Sequence, residues 1–214
     1  MKLGKKNEEE TKEEQVEESV TAEELSAALF QVGADDLGVR TIGLCGDVEE
    51  EKVGEVIGML LGLRQSGLLL PGNSPSQEPV EFIISTSGGS AHEMFALYDV
   101  MRLMRNDMPI HTLGIGKVMS AGVVLLAAGT KGQRKIGRNC RVMIHSVIGG
   151  NIGALHSLEN EMDEIRYTQD RYIEALVQET DMTKRHLKKL IERKVNVYLT
   201  AEEAVEYGIA DEVI

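Results

Sequence analysis

The chain has 214 residues, of which 42% are hydrophobic, 27% charged and 4% aromatic; that suffices for one α/β-sized domain with its own core and is short for two. A formal net charge of −12 repels phosphate backbones and anionic lipid, which excludes bulk nucleic-acid or membrane-surface binding. Two cysteines exclude a disulfide scaffold and suit a reducing compartment.

The basic start Met1-Lys2-Leu3-Gly4-Lys5-Lys6 has no apolar run behind it, so no signal peptide is read and a cytoplasmic location is expected. Residues 1–24 hold nine Glu and four Lys and read as an acidic, solvated tail ahead of a single domain over 25–214. Thr21-Ala-Glu-Glu24 is a capping-box pattern before Leu25 and Leu29. Thr41–Cys45, closed by Gly46-Asp47, predicts a strand and turn. Val53, Val56, Ile57, Leu60 and Leu61 give Val48–Leu63 helical spacing. Gly, Pro, Ser and Asn over Arg64–Pro79 predict a long loop. Val80–Thr86 is a buried strand, Ser87-Gly88-Gly89-Ser90 a turn, and Ala91–Met104 a helix with Met94, Leu97, Tyr98, Met101 and Leu103 inward. A strand follows at Pro109–Gly114, then an apolar helix, Ser120–Ala128, stopped by Gly129. Arg141–His145 is a strand, Ile152–Glu179 a long helix, and Thr183–Arg193 a second one. Tyr198-Leu199 leads into the capped helix Thr200–Tyr207, ended by Gly208. No stretch approaches the ~20 apolar residues of a membrane span.

Alternating strands and helices imply right-handed crossovers and a largely parallel sheet. Chemistry in such sheets gathers at the carboxyl ends of strands. Three segments sit there: Thr86–Ser90, Lys117–Gly122 and His145–Gly150. Ser120, at a strand-to-helix turn, has two readings. It is either a plain N-cap or a nucleophile backed by the free N–H groups of a helix start, although Val118 stands where a G-x-S-x-G elbow has its first glycine. His145 ends an apolar strand; it is either a hydrogen-bonded core histidine or a general base for Ser120. Gly88-Gly89 lets the backbone approach a ligand, or simply turns the chain. No P-loop or dinucleotide fingerprint is present, so the chain itself is not expected to bind ATP. The remaining histidines, His92, His111, His156 and His186, lack zinc-site spacing. Cys45 and Cys140 read as structural thiols.

Taken in order, these segments resemble the Clp protease proteolytic subunit (ClpP) family of self-compartmentalised serine peptidases, from about Arg40 to Ile214. Ile84-Ser-Thr-Ser-Gly-Gly89 is similar to the family's I-N-S-P-G-G, and Ala96-Leu-Tyr-Asp99 to the helix after it. Met119-Ser-Ala-Gly122 is similar to A-S-M-G around the nucleophile. Arg141-Val-Met-Ile-His145 matches R-V-M-I-H, and Gly149-Gly150 follows as in L-G-G. Leu199–Gly208 with Asp211 nearly repeats the family's closing helix. The resemblance implies a ClpP/crotonase-like α/β fold of repeated β-β-α units, with a largely parallel sheet, flanking helices and a long protruding handle helix. It places the nucleophile on Ser120 and the base on His145, 25 positions later. The oxyanion donors fall on the N–H groups of Gly89 and Ala121. Gly88 and Val147-Ile148-Gly149-Gly150 become the segments that hold an extended peptide. The third triad place, an Asp in the family's D-x-F-L, falls on Asn196.

The departures bear on activity. An amide can orient imidazole but cannot balance an imidazolium charge, and Asp→Asn in a serine triad can cost about 10⁴ in turnover. Ser85 and Ser87 stand for Asn and Pro of the family turn. Lys117-Val118 replaces small residues ahead of the serine, near the substrate. The family implies two heptameric rings stacked as a tetradecamer through the helix Ala154–Glu179, an AAA+ unfoldase that spends ATP, unfolded polypeptide substrates and no cofactor. The competing readings are a catalytically weak or inactive ring subunit, a crotonase-like acyl-CoA enzyme, and a related phage-head or signal-peptide-type peptidase.

Overall fold

A computed structural model describes residues 39–68, 78–192 and 196–214. The chain divides into two units, Met1–Val39 and Arg40–Ile214, and every described element lies in the second. The acidic tail and the capped segment at Thr21–Glu24 fall outside the described residues.

The second unit opens with β1 (Thr41–Cys45), α1 (Glu50–Leu68), β2 (Val80–Thr86) and α2 (Ala91–Met104). It continues with β3 (Ile110–Met119), α3 (Ala121–Ala127), β4 (Arg134–Ile136) and β5 (Arg141–Ile144). It closes with α4 (Leu155–Glu179), α5 (Lys184–Ile191), β6 (Val197–Leu199), α6 (Ala201–Glu206) and β7 (Glu212–Val213). The sheet runs β1-β2-β3-β4-β7 in parallel pairs. Off this path β5 pairs β3 in parallel, and β6 pairs β5 antiparallel. The fold is α/β with a mostly parallel sheet and flanking helices, as expected.

β3 organises the sheet. Its first half pairs β4 through Thr112, Leu113 and Gly114. Its second half pairs β5 through Lys117, Val118 and Met119. Between them Gly116 takes φ +64°, and the register against β2 shifts between Ile84 and Thr86. One strand thus serves two partners on the same edge because its glycine-rich middle can kink. This explains why β3 runs on to Met119 rather than ending at Gly114: the pairing of Lys117, Val118 and Met119 with β5 is tertiary.

α3 is buried at all seven residues, the environment that a helix apolar on every side requires. It packs against β3 and the end of β2, so closely that a Cβ on Gly122 would come 2.4 Å from Thr86 Cγ2. Each fully buried Val or Leu here stabilises the fold by about 1.5–3 kcal/mol. α2 buries Met94, Leu97, Tyr98, Met101 and Met104, an i, i+3, i+4, i+7 stripe. Leu103, expected inward, is 63% exposed; it lies off that stripe, and Met104 takes the inner place.

Three further boundaries differ from expectation. α1 continues through Arg64–Leu68, where a loop was expected. Arg64 Nη2 donates to Asp107 Oδ2 at 2.8 Å, a tertiary tie that composition does not reveal. The rest of that loop, 69–77, is outside the described residues. α4 begins at Leu155 rather than Ile152, because Ala154 is still extended (φ −64°, ψ 154°) after Gly153. α5 begins after its cap Thr183, whose hydroxyl accepts from His186 N–H at 3.2 Å. β4 and β7 were not anticipated, being too short to show a period. The capping box at α6 forms: Thr200 Oγ1 accepts from Glu203 N–H at 3.2 Å, and Glu203 Oε2 accepts from Thr200 N–H at 2.8 Å. Among the described residues no helix is long and apolar enough to cross a membrane.

Candidate active site

Ser120 forms the turn between β3 and α3 with φ 53° and ψ −119°. It is the one non-glycine residue with positive φ among the described residues, and such a conformation costs about 1–3 kcal/mol. The surroundings hold it there. Ser120 N–H donates to the Met143 carbonyl at 2.8 Å. The Ser120 carbonyl accepts from Val123 N–H at 3.0 Å and from the Tyr172 hydroxyl at 3.2 Å. Burial pushes the Tyr172 phenol above its ordinary value, so it remains a donor. Ser120 occupies the N-cap position of α3, yet its side chain makes no capping hydrogen bond, so its hydroxyl is not spent on the helix end. A strained strand-to-helix turn that holds out its hydroxyl is the geometry of a nucleophile elbow, reached here without a glycine at 118. Val118 instead points into the core, not toward the cavity as expected. Its neighbour Lys117 does reach that rim, where Nζ donates to Ser87 Oγ at 2.6 Å.

The turn after β2 presses against this serine. Gly88 and Gly89 have φ +100° and +155°. A Cβ on Gly88 would lie 2.6 Å from Ser120 Cβ; one on Gly89 would lie 2.3 Å from the Val48 carbonyl oxygen. Only glycine fits either place. The turn is pinned by Gly88 N–H donating to Thr86 Oγ1 at 3.0 Å, and by Val48 N–H donating to the Gly88 carbonyl at 2.9 Å. Ala121 is the first residue of α3, where helix geometry leaves N–H groups without intrahelical acceptors.

His145 follows β5 and is half-buried. Together the three segments line one cavity of about 480 Å³: Gly89 from the first, Ser120 and Ala121 from the second, His145, Val147, Ile148 and Gly149 from the third. α4 closes it with Glu161, Glu164, Ile165, Thr168 and Tyr172. Gly88, Gly150 and Asn196 are not among the lining residues. Asn196 is exposed. It stands one position beyond the pair Ile144↔Val197, so the antiparallel register sets it opposite His145. Ser120, His145 and Asn196 make no hydrogen bond to one another among the described residues. The Val147 N–H already donates to Gln169 Oε1 at 3.3 Å.

Sequence reasoning missed Tyr172 and Thr86, which brace the serine and the glycine turn. Their only sequence signal is a helical spacing from Thr168 to Tyr172 and a Thr at a strand end, and neither says what the side chain touches. Among the described residues no group of three or more His, Cys, Asp or Glu could hold a metal ion.

Comparison with known proteins places the chain in a family. Residues 28–214 match the family model described as Clp protease. The chain is 31% identical over 189 residues to the "ATP-dependent Clp protease proteolytic subunit 1" of Prochlorococcus marinus strain MIT 9312, covering 88% of this chain and 91% of that one. It is 33% identical over 175 residues to the "ATP-dependent Clp protease proteolytic subunit" of Deinococcus radiodurans, covering 82% and 80%. The chain whose strained serine and histidine line one cavity at the carboxyl ends of a parallel sheet is matched over nearly all its length: it belongs to the Clp proteases, which are serine endopeptidases.

Proposed function

We propose that Ser120 is the nucleophile of a ClpP-type peptidase, with His145 as its base and Asn196 orienting the imidazole. The observation that carries this reading is the strained backbone of Ser120, which lifts its hydroxyl into the cavity that His145 also lines. His145 takes the Ser120 proton as Oγ attacks the scissile carbonyl, and the imidazolium then protonates the leaving amine. Water hydrolyses the acyl-enzyme with His145 again as base. The N–H groups of Gly89 and Ala121 hold the tetrahedral oxyanion, each worth roughly 3 kcal/mol. The exposed segment around Ile148-Gly149-Gly150, with Gly88 opposite, pairs with an extended substrate by strand addition. The engaged Val147 N–H leaves that pairing to its neighbours. No step needs a cofactor.

The same reading has the subunit working in the cytoplasm on unfolded polypeptides, as two heptameric rings fed by an AAA+ unfoldase. α4 supports the stacking: Leu155, Leu158 and Met162 are exposed along it at i, i+3, i+7, an apolar stripe suited to a facing helix. A fluorophosphonate probe on the assembled full chain tests the chemistry. Labelling of the wild type and none of Ser120→Ala is expected; no labelling of either overturns the assignment of Ser120.

A further inference from the structure

The Gly88-Gly89 turn is held on one side by Val48, which donates to the Gly88 carbonyl at 2.9 Å and accepts from Ser90 N–H at 2.8 Å. This bridge leaves the Gly89 N–H without an acceptor among the described residues. An oxyanion donor has to be free in this way, but here it sits on a stretch with little stiffness of its own, since glycine loses more backbone freedom on ordering than any other residue. The other side of the turn begins at Ser87, which is exposed. Its hydroxyl accepts from Lys117 Nζ at 2.6 Å.

The strands direct Lys117 to that place. The β3–β5 register sets Arg141 opposite Lys117, and like charges in register repel. Arg141 stands over the Tyr198 ring, 6.0 Å from its centroid, and Lys117 reaches the other way, to the end of β2. Among the described residues Lys117 has no carboxylate partner; Ser87 Oγ is its acceptor. Both residues are also departures from the family's motif, with serine in place of a proline and lysine in place of a small residue. A proline fixes its backbone covalently, whereas a serine leaves that rotation free until something holds it. We infer that Lys117 is a positioning residue for the reaction: through Ser87 its ammonium fixes the glycine turn and so keeps the Gly89 N–H on the oxyanion. This rests on the proposed roles of Ser120 and Gly89.

A double-mutant cycle on the assembled full chain, read with a fluorogenic peptide, tests it. K117M keeps the aliphatic stem and removes the donor; S87A removes the acceptor. Both side chains are exposed, so neither change opens a cavity. Each is expected to lower kcat about tenfold, less than the 10²–10³-fold cost of removing an oxyanion donor outright. KM is expected to stay as it is, because the contact acts on the transition state alone. K117M/S87A is expected to be no slower than either single variant, since both cut the same bond. S87T keeps the acceptor and is expected to keep the wild-type kcat. Wild-type kcat in K117M or S87A, losses that multiply in the double variant, a raised KM in place of a lowered kcat, or a loss in S87T equal to that in S87A overturns the inference and leaves Ser120 as nucleophile. No hydrolysis by the wild type, together with no fluorophosphonate labelling of Ser120, overturns both.

Discussion

At Ser120 the conformation is set by its neighbours rather than by its own preference. A positive φ is unfavourable for serine, yet three hydrogen bonds and the glycine turn leave it no alternative. Two substitutions probe this. Gly89→Ala drives a Cβ into the Val48 carbonyl and moves an N–H proposed as oxyanion donor; kcat is expected to fall about 10²–10³-fold, measured by peptide turnover with circular dichroism as the folding control. Tyr172→Phe removes one of two donors to the Ser120 carbonyl and is expected to cost about 1 kcal/mol in denaturant unfolding. Asn196→Asp bears on the third triad place. A carboxylate opposite His145 stabilises the imidazolium, so turnover is expected to rise by at least tenfold; no change in the pH–rate profile removes residue 196 from the relay. The thiols differ as well. Burial raises Cys140 to about 11, while Cys45 is exposed. A thiol reagent is expected to titrate one cysteine in the native protein and two in guanidinium.

Between elements, the C-terminal end of α4 is tied to α2 through a buried carboxylate. Glu179 is 1% exposed. It accepts from Arg105 Nη1 at 2.8 Å and Nη2 at 3.0 Å, and from the Tyr98 hydroxyl at 3.0 Å. Burial, with the Glu179 charge beside it, raises the Tyr98 phenol to about 12, so it donates throughout the working pH range. Arg105 also donates to the Ala128 carbonyl at 2.8 Å, which caps the end of α3. One charge pair therefore holds α2, α3 and α4, the helices that surround the cavity. Glu179→Ala leaves the partly buried Arg105 guanidinium and the Tyr98 hydroxyl without their charged acceptor and is expected to destabilise the fold by about 1.5–3 kcal/mol, read from the unfolding midpoint. Replacing both Glu179 and Arg105 by apolar residues is expected to cost less than the single change. None of this network is legible from sequence: Tyr98 and Glu179 are 81 positions apart, and both read as ordinary helix residues.

For the whole unit, the sheet is locked at its far edge by Asp211, which precedes β7. Its carboxylate accepts from Arg134 Nε at 2.9 Å and Nη2 at 2.5 Å. Burial acts to raise this carboxyl, but the hydrogen bonds and charge of Arg134 outweigh it and hold it below its ordinary value of 3.8. A depressed folded value stabilises the protein fully above the unfolded one and loses that contribution as pH falls through the folded one. Acid unfolding below about pH 4 is accordingly expected to be less steep in Asp211→Asn, which starts less stable at neutral pH.

The sequence by itself determined the alternation of strands and helices, the parallel sheet and the three loops where polar residues collect. Local periodicity, helix caps and turn glycines carry that information, and each acts within a few residues. Only the tertiary structure decided that these loops meet in one cavity, that β3 runs on to pair β5, that α1 outlasts the loop expected there, and that Ser120 sits strained at the helix start with its hydroxyl left out of the cap. Those outcomes depend on pairings across tens of residues, such as Ser120 with Met143 and Tyr172, where the free energy lies in contacts that no local pattern encodes.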